Sequence, residues 1–125
     1  MKLIFDTYAW IEYFIGSKKG ESVEEYFNHE ILTPSLVLME LSYRFNQKGW
    51  DLKKFLNFIK SKSVIIGVNE EVIIQFGHFY NSLKKKNKEM SFVDILIFTL
   101  AKVENGSILS GDKHFKNFDN VIFLE

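Results

Sequence analysis

The chain contains no cysteine. That excludes structural disulfides, thiolate zinc sites and thiol nucleophiles, and it fits an intracellular setting. Charge excess is absent too: sixteen acids balance sixteen bases. The global positive field of a nonspecific nucleic-acid binder is therefore missing, and any contact with nucleic acid must be a local patch. No apolar run approaches the roughly 18 residues of a membrane span, and the first residues enter a strand pattern without the apolar core of a signal peptide. Histidine is scarce, with only His29, His78 and His114. These absences lead us to expect a soluble, cytoplasmic protein with no membrane association.

What is present is apolar and aromatic. Hydrophobic residues make up 46% of the 125, including 13 Phe, 5 Tyr and 2 Trp. That rules out disorder and suits one aromatic-rich core, while the length is too small for two. A single domain over residues 1–125 is expected.

Lys2-Leu3-Ile4-Phe5-Asp6-Thr7 reads as a short buried strand closed by a carboxylate. The carboxyl ends of strands are where open α/β sheets keep their active sites. Tyr8–Phe14 and Glu21–Asn28 read as helices separated by a loop, Gly16–Gly20. Ile31-Leu32 is too brief for more than a minor strand. Thr33-Pro34 signals a helix start, a capping hydroxyl followed by proline at the first helical position, with the helix running to about Gln47. Asp51 caps another helix, in which Leu52, Phe55, Leu56 and Ile59 recur at helical spacing.

Ser63–Val68 is β-branched and reads as a second main strand. Asn69, followed by two glutamates, starts a long helix to about Lys88, with Lys84-Lys85-Lys86 near its end as the helix dipole favours. Ser91 and Asp94 form a capping-box-like pair. Ile95–Val103 is apolar nearly all round, the mark of a central buried helix. Ser107–Leu109 is a third strand, Gly111 a turn, and Val121–Leu124 a closing strand. Strands alternating with helices imply an α/β fold, a mostly parallel central sheet of four to five strands with helices on both faces.

Four acids stand in special positions. Asp6 ends the first strand, and Asp112 follows the third by a Ser-Gly turn; if those strands are neighbours, both carboxylates sit at one edge. Glu40 and Asp94 each interrupt a strongly apolar helical run, where an unpaired carboxylate costs several kcal/mol by rough estimate. Each acid also has a structural reading: Asp6 as an N-cap, Glu40 as the i+4 partner of Arg44, Asp94 as the capping-box acid, Asp112 as a turn residue. The functional case rests on the set. Four carboxylates in one cleft raise one another's pKa, and one or two divalent metals reverse that. Oxygen ligands without Cys or His point to Mg²⁺ or Mn²⁺ over zinc.

Strand-Asp6-Thr7, then Thr33-Pro34-Ser35-Leu36-Val37-Leu38-Met39-Glu40-Leu41, then Ser91-Phe92-Val93-Asp94-Ile95 leading to Ala101, and last Ser110-Gly111-Asp112-Lys113-His114-Phe115, resemble in order and spacing the four motifs of the PIN-domain nucleases. So short a chain resembles, within that family, the VapC-type toxins of prokaryotic toxin–antitoxin pairs. The resemblance implies a PIN-like fold and a metal-dependent endoribonuclease held inactive by a cognate antitoxin. It implies Asp6, Glu40, Asp94 and Asp112 as metal-ligand positions, Thr7 and Ser110 as supporting hydroxyls, and products bearing a 5′-phosphate and a 3′-hydroxyl. Two departures bear on cleft width and helix packing: Tyr8 stands where a small polar residue often follows Asp-Thr, and bulky Ile97 and Phe98 stand where alanines are frequent.

Lys113, beside the motifs, is the better candidate for RNA contact. Lys84, Lys85 and Lys86 either follow RNA phosphates or simply serve the helix dipole. His114 either touches substrate or is a solvated turn residue. Apolar helix surface, and the common pairing of VapC-like proteins, lead to the expectation of a two-fold homodimer. Two alternatives stay open: a haloacid-dehalogenase-like phosphatase, which needs an acid where Tyr8 stands, and a non-catalytic PIN-fold binding module.

Overall fold

The computed structural model describes residues 1–125. In chain order the elements are β1 Lys2–Phe5, α1 Thr7–Ile15, α2 Lys18–Glu24, β2 Glu30–Pro34, α3 Ser35–Lys48, α4 Leu52–Lys62, β3 Val64–Ile66, α5 Glu70–Lys86, α6 Phe92–Glu104, β4 Ser107–Ser110 and β5 Val121–Phe123. A single 3₁₀ turn, Lys113–Phe115, links the last two strands. The sheet has five strands in the order β3-β2-β1-β4-β5, and every pairing is parallel. Leu3, Ile4 and Phe5 are all fully buried. Because successive strand side chains point to opposite faces, that burial means helices cover both sides of the sheet. No helix is long and apolar enough to cross a membrane.

The order of the strands creates the crevice. From β1 the chain builds outward through β2 and β3, then returns to lay β4 and β5 on the other side of β1. The β1/β4 junction is thus the topological switch point, where the connections leave in opposite directions and open a gap beyond the carboxyl ends of the strands. Register sharpens this. Phe5 pairs with Leu109, so one residue further on Asp6 and Ser110 stand level with each other.

The largest departure from the sequence reading is β2. Glu30–Pro34 is a full strand between β1 and β3 rather than a minor one, and α3 starts at Ser35, after Thr33-Pro34 rather than at it. Thr33 is fully buried and does not cap. Its hydroxyl accepts from Trp10 Nε1 at 3.1 Å and lies 2.9 Å from Ser63 Oγ, which in turn donates to the Ile59 carbonyl at 2.9 Å. With the Ser63 proton committed there, Thr33 donates to Ser63, and each group in this buried chain is satisfied. Pro34, which has no N–H to offer a ladder, sits at the last strand position where none is needed. β3 is shorter than Ser63–Val68, an edge strand whose Val64 is largely exposed.

Helix α2 also starts earlier than Glu21, and the Ser17–Gly20 stretch read as loop is its first turn. Ser17 Oγ accepts the Gly20 N–H at 3.0 Å as N-cap. Gly20 allows α2 to lie directly on α1: a Cβ there would fall 2.1 Å from the Glu12 carbonyl oxygen and 2.8 Å from Tyr13 Cα. These are backbone atoms and cannot rotate away. Gly20→Ala should therefore force the two helices apart and destabilise by about 2–3 kcal/mol, the upper range for overpacking. A thermal melt falling by several degrees would register it, and an unchanged midpoint would show that α1 and α2 are not so closely docked.

Candidate active site

The cleft at the switch point has a volume of about 300 Å³ and is lined by Asp6, Thr7, Glu40, Asp94 and Asp112, with Tyr8, Val93 and Ile97 among its walls. The structure thus brings the four sequence-nominated acids together from four separate parts of the chain. Asp6 enters from the end of β1, Glu40 from the middle of α3, Asp94 from the first turn of α6, and Asp112 from the turn after β4.

Asp6 is 4% exposed. Its Oδ1 accepts from the Ala9 N–H at 2.9 Å, so it caps α1, while Oδ2 accepts from the Ser110 hydroxyl. The Asp112 N–H donates to that same Ser110 Oγ at 2.9 Å. A continuous hydrogen-bond chain therefore joins Asp112, Ser110 and Asp6 across the β1/β4 junction. Next along, Thr7 Oγ1 donates to Glu40 Oε1 at 2.9 Å. That bond, rather than an ion pair with Arg44, holds Glu40: Arg44 lines the same cleft but forms no salt bridge.

Asp94 makes the full capping box with Ser91. Its Oδ2 accepts from the Ser91 N–H at 3.0 Å and its own N–H donates to Ser91 Oγ at 3.1 Å. The same carboxylate also faces the cleft, with Oδ2 3.2 Å from His114 Nδ1. Asp112 Oδ1 lies 3.2 Å from that nitrogen too and accepts the His114 backbone N–H at 2.9 Å. His114 is thus more than a solvated turn residue; its imidazole sits between two of the acids. The signal in the sequence is Asp-Lys-His itself, since an Asp that caps a tight turn brings the residue two positions later back over its own carboxylate.

The departures flagged in the sequence have physical accounts. The Tyr8 ring lies on Gly111, where a Cβ would come within 2.4 Å of Tyr8 Cε1, and its hydroxyl accepts from Lys19 Nζ at 3.0 Å. Tyr8 forms a wall of the cleft, and a side chain at Gly111 would displace its ring. Ile97 forms part of the opposite wall, while Phe98 points away to pack on Phe79 and Phe118. The lysines are distributed differently from the acids. Lys113 stands on the 3₁₀ turn beside the cleft, Lys85 and Lys86 are exposed at the end of α5, and the Lys84 ammonium is used internally, on the carbonyls of Lys88 at 3.0 Å and Met90 at 2.6 Å.

Burial pushes the Asp6 carboxyl up to about 7; Asp112 and Asp94 add to the rise, and the Ser110 and Ala9 hydrogen bonds oppose it. The folded chain thus holds this proton more tightly than an unfolded chain, in which the group titrates near 3.8. Asp6 accordingly contributes fully below about pH 4 and costs stability as pH rises toward about 7, by at most about 1.4 kcal/mol per pH unit. Asn keeps the cap and has no charge to desolvate. In EDTA, Asp6→Asn should gain on the wild type in melting temperature steadily from about pH 4 to about pH 7 and level off above. Circular-dichroism melts across that range check it; a difference that does not vary with pH would show that the carboxylate is not held in this desolvated setting.

No curated protein matches the chain by sequence. Solved structures share its fold at low identity. The VapBC2 complex from Rickettsia felis bound to a promoter DNA fragment contains a chain with a TM-score of 0.78 and 22% identity, covering 98% of this chain and 97% of that one. A toxin–antitoxin complex from Klebsiella pneumoniae gives 0.77 and 16%, with 98% of each chain covered. Mycobacterium tuberculosis VapC20, described as a sarcin-ricin loop cleaving toxin, gives 0.69 and 16%, covering 95% of this chain and 98% of that one. The PIN domain family model matches residues 3–121, from the first strand into the last, and the chain belongs to the PIN domain family.

Proposed function

We propose that this single-domain chain, residues 1–125, is a VapC-type endoribonuclease toxin of a type II toxin–antitoxin pair. It hydrolyses RNA phosphodiester bonds in the cytoplasm with Mg²⁺ or Mn²⁺ and is held inactive by a cognate antitoxin. One observation carries the reading: Asp6, Glu40, Asp94 and Asp112 line one cleft, and no lysine or arginine forms a salt bridge with any of them. Four carboxylates gathered with no lysine or arginine paired to them repel one another, and a bound divalent cation relieves that repulsion. The likeness in fold to a toxin described as cleaving the sarcin-ricin loop supports the choice of RNA.

The donors fit a divalent cation. Ligand atoms of Asp94, Asp112 and His114 lie within 4.8 Å of one another, and the buried Asp6 carboxyl, raised by desolvation, is a group that a nearby positive charge would return to its ionised form. Asp6, Asp94 and Asp112 would hold the metal, with Glu40 beside it. When bound, a divalent cation supplies a water of lowered pKa and neutralises charge on a phosphoryl oxygen. The chain's own part is preorganisation. Ala9 and Ser110 hold both oxygens of Asp6; Thr7 fixes Oε1 of Glu40 and leaves Oε2 without a protein partner, free to orient a water. Ser91 keeps Asp94 facing the cleft at no cost to the helix. A haloacid-dehalogenase-like chemistry lacks its second acid here, because Tyr8 stands in that place with its ring on Gly111.

Cleavage of a single-stranded RNA by antitoxin-free protein should vanish in EDTA and return with Mg²⁺ or Mn²⁺. Asp94→Asn retains the capping acceptor, so it should fold within about 1 kcal/mol of the wild type yet lose activity by orders of magnitude. Full cleavage in EDTA, or a mutant that melts early but cuts at the wild-type rate, would reject the mechanism and leave the non-catalytic binding module.

We place the homodimer contact on the α5–α6 face. Phe92 and Ile73 are 59% and 64% exposed beside an entirely apolar depression formed with Val68, Val72, Phe76 and Leu96. A two-fold pairing lets each copy cover the same patch on the other. Light scattering at micromolar concentration should give a dimer for the wild type and a monomer for Ile73→Glu. A monomeric wild type would overturn this assembly.

A further inference from the structure

Beside the acidic cleft lies a second groove of about 380 Å³, walled on one side by the end of α5 with its following turn and on the other by residues 113–117. Lys86, Lys88, Lys113 and Lys116 line it against a single acid, Glu89. This is a concentrated positive patch on a chain of zero net charge. All four lysines are exposed and none is in a salt bridge. The groove is built, not accidental: the Lys84 ammonium clamps the turn through the Lys88 and Met90 carbonyls, Asn87 Nδ2 donates to the Leu83 carbonyl at 3.2 Å, and Lys116 is steadied over the Phe123 ring at 5.4 Å. The groove adjoins the acid cleft at His114. His114 lines the groove while its Nδ1 touches Asp94 and Asp112.

We infer that this groove is the track of a single-stranded RNA backbone leading into the acid cleft, with Lys86, Lys88, Lys113 and Lys116 as its phosphate partners. The chemistry selects the occupant. A docked protein segment needs apolar pockets for its anchoring side chains, and the one apolar lining residue, Met90, is 1% exposed. A phosphate backbone needs only spaced cations. Single-stranded form follows from the cleft, because a phosphate must descend to Asp6, 4% exposed, which a strand held in a duplex does not do. The inference rests on the ribonuclease reading for its substrate, but its test does not need catalysis.

Fluorescence anisotropy of a fluorescein-labelled single-stranded RNA on full-length protein in EDTA reads binding alone. Four phosphate contacts predict a slope of log K against log salt of about −3, and Lys88→Ala/Lys113→Ala should reduce its magnitude by about 1.4 and weaken binding about tenfold at low salt. Lys53→Ala/Lys60→Ala, on exposed positions of α4, should change neither. Absent RNA binding, equal losses in both double variants, or poly-L-glutamate competing as well as RNA of equal charge would each overturn the inference. Lysine-dependent binding without any metal-dependent cleavage would uphold the track and reject the nuclease, so the two readings fail separately.

Discussion

The pairing of β1 with β4 is the constraint on which the rest of the molecule depends. Their register sets Asp6 level with Ser110, and the Ser110 hydroxyl then bridges the Asp6 carboxylate and the Asp112 N–H. A carboxylate at 4% exposure is tolerable only because both of its oxygens accept hydrogen bonds from groups that the sheet and α1 hold in place. A slip of one residue between the strands would turn Asp6 to the opposite face and leave Ser110 without its acceptor. Fold and site are specified by the same contact.

The capping roles and the chemical roles of the acids are not rivals. Asp6 caps α1, Asp94 completes the box at the start of α6, and Asp112 caps the 3₁₀ turn. Helix N-termini present unpaired N–H groups and the positive end of the dipole, so they are the places where carboxylates are tolerated at close quarters. The fold assembles mutually repelling acids by giving three of them a helix end, and the fourth, Glu40, a threonine hydroxyl. The residual strain appears at Asp6, whose carboxyl burial drives toward neutrality.

Zero net charge conceals a divided surface. The acid cleft and the lysine groove adjoin at His114, an arrangement suited to a polyanion whose backbone is gripped at one place and reacts at another. Neither feature requires excess charge overall, because attraction over distances of about 10 Å is set by local groups at physiological salt. The apolar α5–α6 face, with Phe92 and Ile73 exposed, stands apart from both.

The sequence by itself determined those parts of the protein governed by local rules. Apolar runs closed by Asp6 and by Ser110-Gly111 mark strands that end at a crevice, Ser91 with Asp94 marks a helix start, and Asn69 with Lys84–Lys86 marks the poles of α5; each depends on residues within a few positions of one another. The four acids were legible for the same reason: Glu40 and Asp94 interrupt apolar helical runs, and Asp6 and Asp112 follow the ends of apolar strands. Tertiary structure alone decided the rest. Thr33-Pro34 carries a valid helix-start signal and still lies in a strand, because β1 and β3 flank it with open ladders and Trp10 and Ser63 claim the Thr33 hydroxyl. Arg44 has the spacing to pair with Glu40, yet the partner the fold supplies is the Thr7 hydroxyl, from another element. His114 becomes part of the acid cluster only when α6 brings Asp94 against the turn after β4. In each case the deciding partner is far away in the chain, where hydrogen-bond satisfaction in a buried site outweighs the few tenths to about 1 kcal/mol that local propensity offers.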